Sequence, residues 1–101
     1  MLAIQRQHTP QLTDEEQAAY AASLTTMTDD DYVAETAKQV YDAGYDRQYG
    51  KADQRVHLCF KEADRRGKPW LYARSYNRAA RDAGVDLDRT DLERAREPEA
   101  A

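Results

Sequence analysis

The chain has 101 residues, 34% of them charged, and a formal net charge of −4. That length allows one domain around one core, and a pI near 5.1 argues against a strongly basic nucleic-acid binder. Seven Leu, four Val, one Ile and one Phe are few, but seventeen Ala, seven Tyr and one Trp add apolar surface. These favour a folded, thin-cored all-α domain that gains from association, as a homo-oligomer or with another protein.

The first residues, "MLAIQRQH", are too short an apolar run for a signal peptide, and no stretch approaches the ~20 apolar residues of a membrane span. The single cysteine, Cys59, forms no internal disulfide and fits a reducing compartment. The expectation is a cytoplasmic protein with no membrane partner.

Residues 1–11 lack periodicity and read as a flexible N-terminal arm. A single helical domain follows over 12–97, and 98–101 read as a frayed tail. "TDEE" sets Thr13 and Glu16 at capping-box spacing for a first helix, with Leu12, Ala19, Tyr20, Ser23, Leu24 and Met27 on one face. "TDDD" starts a second, with Thr28 as N-cap and Asp29 to Asp31 beside the positive end of the helix dipole. Val33, Ala37, Val40 and Tyr41 recur at helical spacing, and Gly44 suits a left-handed cap with Tyr45 packing back.

A third helix is expected from about Ala52 to Arg66, with Val56, Cys59, Phe60 and Ala63 inward and Gly67 as its stop. Pro69 opens a fourth with Trp70, Ala73, Tyr76 and Ala80 on one face, ending at Gly84. "TDLE" offers a last capping box, Thr90 to Glu93. The architecture is a compact bundle of four to five short helices arranged as helix-turn-helix hairpins. "YDAGYD" at 41–46 and "RDAGVD" at 81–86 echo one another, which shared C-cap chemistry explains without a duplication.

The chemistry of catalysis is sparse. "YDRQYGKA" puts Tyr45 where a P-loop needs its first glycine and Ala52 where it needs a hydroxyl. Neither Ser23 nor Ser75 sits in a nucleophile elbow. His57 and Cys59 are two apart on a helix and so face different ways. His8 and His57 with one cysteine make no zinc spacing. Asp53 and His57 at i, i+4 read as a surface charge pair, and the acidic clusters are explained by their helix starts. No catalytic residue, cofactor or metal is assigned.

Charge is distributed unevenly. Residues 1–44 carry two basic and eight acidic side chains, residues 45–84 ten and five, and residues 85–101 three and six. Arg65, Arg66 and Lys68 cluster at the third turn, and Arg74, Arg78 and Arg81 follow at spacings of four and three. With Trp70 and Tyr72 they form the candidate partner-binding patch, since Tyr, Trp and Arg dominate binding hot spots. The acidic start at Asp29 to Asp31 is a second, opposite surface. Such a stripe either grips an acidic protein, neutralises phosphates, or salt-bridges to the acidic helices of its own fold. The tyrosines at 41, 45 and 49, and at 72 and 76, read first as core filling and second as an interface.

The functional expectation is a small non-enzymatic regulator or adaptor that binds another protein or a nucleoprotein complex, of the inhibitor type that phages and plasmids encode. The alternative is a nucleic-acid-binding regulator using the basic 65–81 segment.

Overall fold

The computed structural model describes residues 11–45 and 50–99. Among these residues there are five α-helices and no strand: α1 (Asp14–Thr25), α2 (Asp29–Val40), α3 (Lys51–Arg66), α4 (Pro69–Asp82) and α5 (Arg89–Arg94). The all-α bundle expected from the sequence is what forms. None of these helices is long and apolar enough to cross a membrane. The proposed N-terminal arm lies outside the described residues except for Gln11, whose side chain accepts a hydrogen bond from Gln54 Nε2 at 3.1 Å.

Local chemistry sets most boundaries. Thr13 and Glu16 close the expected capping box of α1, each side chain accepting from the other's backbone N–H at 3.0–3.1 Å. Thr28 Oγ1 accepts from the Asp31 N–H at the start of α2. The third and fourth helices both end on left-handed glycines, Gly67 (φ +68°) and Gly84 (φ +77°). After each, the next N–H reaches back to the helix in a Schellman pattern, Lys68 to Ala63 O and Val85 to Ala80 O. A β-carbon at either glycine would meet no neighbour, so the backbone angle alone demands the residue type.

Gly44 does not cap α2 as expected. Tyr41–Tyr45 instead continue as a π-helical turn, and Gly44 keeps out of the left-handed region. This turn packs against both α3 and α4, and that tertiary contact overrides the local stop signal. The two "DAG" echoes therefore do not share a cap, and the capping explanation for their likeness fails. The last helix also starts earlier than expected. Asp88 and Asp91 form its capping box, not Thr90 and Glu93.

Helix α2 lies against α4, α1 against α3, and α3 touches both α2 and α4. Leu24, Tyr32, Cys59, Ala63 and Leu71 make the centre of the core. Two faces are rotated from their expected setting. On α4 the buried set is Leu71, Ser75, Asn77, Ala79 and Ala80, while Tyr76 is exposed and Trp70 half-buried. Small residues let α2 and α4 come close, and Ser75 hides its hydroxyl by donating to Leu71 O at 2.8 Å. The rings are displaced to the flanks. On α3, Cys59, Glu62 and Ala63 face inward and Phe60 is exposed.

A buried carboxylate is tolerated there because Arg66 closes a network around it. Its Nε donates to Glu62 at 2.7 Å, Nη1 to Asp29 at 2.8 Å, and Nη2 to the carbonyls of Leu24 and Met27 at 2.7 and 2.8 Å. The guanidinium carbon lies 5.2 Å from the centre of the Tyr32 ring. Arg65 completes a fork onto Glu62, and Lys68 joins Asp29 at 2.8 Å. Burial alone would lower the Arg66 pKa, but the bonds to Glu62 and Asp29 outweigh it and the net shift is upward. Arg65, against burial and with Arg66, holds Glu62 below its ordinary range, and Lys68 then Arg66 do the same for Asp29.

Removing Arg66 strips four bonds and leaves Glu62 to Arg65 alone. Arg66→Ala is expected to cost about 3 kcal/mol in urea denaturation. Arg65→Ala, at a side chain 57% exposed, should lower the urea midpoint far less. Equal costs would show that Arg66 is no more than a surface ion pair.

Candidate binding surface

Helices α3 and α4 together expose a row of rings. Phe60 is 55% and Tyr76 47% exposed, and half-buried Tyr72 lies between them. Phe60 meets Tyr72 edge-on, centroids 5.2 Å apart and planes at 89°. Tyr72 and Tyr76, one helical turn apart, are tilted at 45° with centroids at 6.5 Å. Edge and tilted contacts are the favoured geometries for aromatic pairs, so the row is preorganised. Leu92 and Val85 add exposed apolar surface from α5 and the segment before it.

Short α5 is held on the flank of α4 by two side-chain clamps. Asn77 Nδ2 donates to Asp91 O and Arg74 Nε to Ala95 O, both at 2.8 Å. Between the two elements a recess of about 380 Å³ is lined by Tyr72, Ala73, Tyr76, Asn77, Asp91 and Arg94. A second, of about 370 Å³, continues from Tyr72, Ala73 and Arg94 towards Trp70, Arg96 and Pro98.

The eight residues singled out from the sequence fall into three settings. Arg65, Arg66 and Lys68 sit at the α3–α4 turn and pair with Glu62 and Asp29 of the same chain. Trp70, Tyr72 and Arg74 face the recess or its wall. Arg78 and Arg81 are exposed, Arg78 beside Lys38, Tyr41, Asp42 and Asp82, and no ion pair of either occurs among the described residues. Asp29, taken as part of an acidic outer surface, is bonded inward by Arg66 and Lys68, while Asp30 and Asp31 stay exposed.

Sequence reasoning missed Phe60, placed in the core, and Arg94 and Arg96, placed nowhere. Helical spacing could have moved Phe60 outward, since Ala52, Cys59 and Ala63 form a buried stripe without it. No spacing signals the two arginines, which border the recesses only because α5 docks on α4.

The reactive-looking groups are sealed. Cys59 is fully buried, and burial pushes its thiol up despite hydrogen bonds that lower it. Its Sγ is 3.5 Å from the Tyr20 hydroxyl, which donates to Glu35 at 2.6 Å. Tyr32 donates to Cys59 O at 2.6 Å. Burial raises Tyr20, Tyr32 and Tyr72 above the ordinary tyrosine range. His57 is exposed, on another face from Cys59. Among the described residues no three of His, Cys, Asp or Glu come together as a metal site. Family models, curated proteins and solved structures yield no match to this chain.

Two outcomes follow. Groups with raised folded pKa values stabilise fully below their unfolded values, 9.0 for Cys59 and 10.0 for the tyrosines, and that contribution is lost as pH rises beyond. The share of tyrosinate absorbance that belongs to Tyr20, Tyr32 and Tyr72 should therefore appear only together with loss of helical circular dichroism; completion of the absorbance rise in a still-folded protein would contradict their burial. Asn77→Ala should cost about 1 kcal/mol and speed amide exchange over Arg89–Arg94, leaving α2 and α3 protected.

Proposed function

We propose that this protein is a non-enzymatic regulator or adaptor that docks on another protein through the exposed side of α4 with its flanking Phe60 and α5. The observation that carries this reading is the row Phe60–Tyr72–Tyr76, exposed and preorganised beside guanidinium groups. Rigid rings and arginine are the side chains that anchor protein interfaces, because they contribute area at small entropic cost. The one thiol is sealed in the core, which supports a role in binding over one in nucleophilic chemistry. A small protein that occupies a partner's surface without turnover acts as a regulator or inhibitor.

Charge favours a protein over a nucleic acid. Three of the basic residues in the 65–81 segment are ion-paired with Glu62 or Asp29, and the chain as a whole carries −4. Fewer free cations mean fewer released counterions, and so weaker phosphate binding.

The test has two arms. Immobilised protein, with nuclease present, should capture a defined partner from an extract of its native cells, and Phe60→Ala should abolish capture while leaving helical content and urea midpoint near wild type. A fluorescein-labelled single strand and a 20-bp duplex should show no saturable anisotropy change at 50 mM salt. Tight binding that falls steeply by 200 mM salt would replace the protein reading with the nucleic-acid one.

A further inference from the structure

The two recesses beside α4 share Tyr72, Ala73 and Arg94 in their linings and together are taken as one trough. Ala73 is a low point between large neighbours, with Trp70 and Tyr72 to one side and Tyr76 to the other. The opposite wall is α5 and the chain after it, fixed by the Asn77 and Arg74 clamps rather than by apolar packing. A wall held by directed bonds keeps the trough open without filling it. We infer that this trough is a docking groove for a short acidic peptide segment of a partner protein, with one apolar side chain seated over Ala73; the inference rests on α4 being a protein-docking face.

Charge identifies the occupant. Arg94 lines both recesses and has no ion pair among the described residues, and Arg96 stands at the far end with only a 3.9 Å contact to Glu99. The single acidic side chain of the lining, Asp91, is turned to its own helix start, where it accepts the Asp88 N–H at 3.1 Å. The lining of the trough therefore carries two arginines against one carboxylate, on a chain of net charge −4. Carboxylates on the incoming segment meet arginine forks, which bind them with two parallel bonds.

Length decides against a nucleic acid in this groove. From Trp70 to Asn77 the helix rises about 10 Å, the span of roughly three extended residues. A single strand needs a site of roughly four or more nucleotides. The groove fits a motif of three or four residues in which an apolar side chain is flanked by Asp or Glu.

The probe is a random dodecapeptide library displayed on phage and selected on the full chain. Selected peptides are then synthesised with a fluorescein label and titrated by anisotropy. Enriched sequences should carry Asp or Glu within two residues of Leu, Ile, Phe or Trp. Arg94→Glu and Ala73→Trp should raise Kd at least tenfold, and the control Lys38→Glu, on α2 and outside both recesses, should change it less than twofold. Arg94 and Lys38 are both exposed, so those variants keep the fold, which circular dichroism and urea midpoints check.

Failure to enrich any peptide, enrichment without carboxylates, or indifference to Arg94→Glu overturns the groove. Loss of binding in Phe60→Ala and Arg81→Glu but not Arg94→Glu overturns the groove and leaves the α4 face standing. Indifference to Phe60→Ala, Ala73→Trp, Arg81→Glu and Arg94→Glu alike removes both. Competition by an unlabelled dT12 strand at equal concentration would assign the trough to nucleic acid instead.

Discussion

The fold depends on one guanidinium. Arg66 is the last residue of α3, yet it binds the carbonyl end of α1, the turn at Met27, the first residue of α2 and the buried carboxylate one turn back on its own helix. Carbonyls at a helix end have no intrahelical donor, and a cation there also suits the dipole. Because Arg66 satisfies all of these at once, it ties three helices together beside the buried Leu24 and Tyr32 side chains of the core. Glu62 is buried only because Arg65 and Arg66 share it. A buried charge of this kind serves geometry more than stability, since apolar replacements of such networks often cost little.

The thin core follows the same economy. Tyr32 lies at its centre, fully buried, and its hydroxyl is satisfied by the Cys59 carbonyl. Around it the contacts of α2 and α4 are made by Thr36, Ala37, Val40, Leu71, Ser75, Ala79 and Ala80. Small side chains bring helices close and leave no volume for a second fully buried ring beside Tyr32. Phe60 and Tyr76 therefore lie on the outside of the bundle, where they meet half-buried Tyr72 edge-on and tilted. The surface proposed for binding is thus a consequence of how the core was packed.

Cations are divided between the two roles. Those near the α3–α4 turn hold the bundle together, through Glu62 and Asp29. Those further along α4 and on α5 remain at the surface, where Arg94 and Arg96 border the rings. The acidic helix start at Asp29, so conspicuous as a run of three aspartates, is partly an internal counterion.

Much of this was legible in the sequence, because caps and helix stops are local. Thr13, Thr28, Gly67, Pro69 and Gly84 each act through backbone groups within a few residues, so spacing and residue type determined the helices they bound. Length, charge balance and the lack of alternating apolar patterns determined the all-α class. Which side of each helix turned inward was decided only in the tertiary structure. Phe60 and Tyr76 have the periodicity of core residues, and nothing local reports that small residues and an arginine network take the interior instead. The same holds for Gly44, whose stop signal yields to packing against α3 and α4, and for Asp88, whose cap register lets Asn77 reach the Asp91 carbonyl. The long arginine-rich segment was visible as a run of charge, but its division into pillars and free surface was not. That division depends on which carboxylates other helices bring within hydrogen-bonding distance, a fact that exists only after the chain has folded.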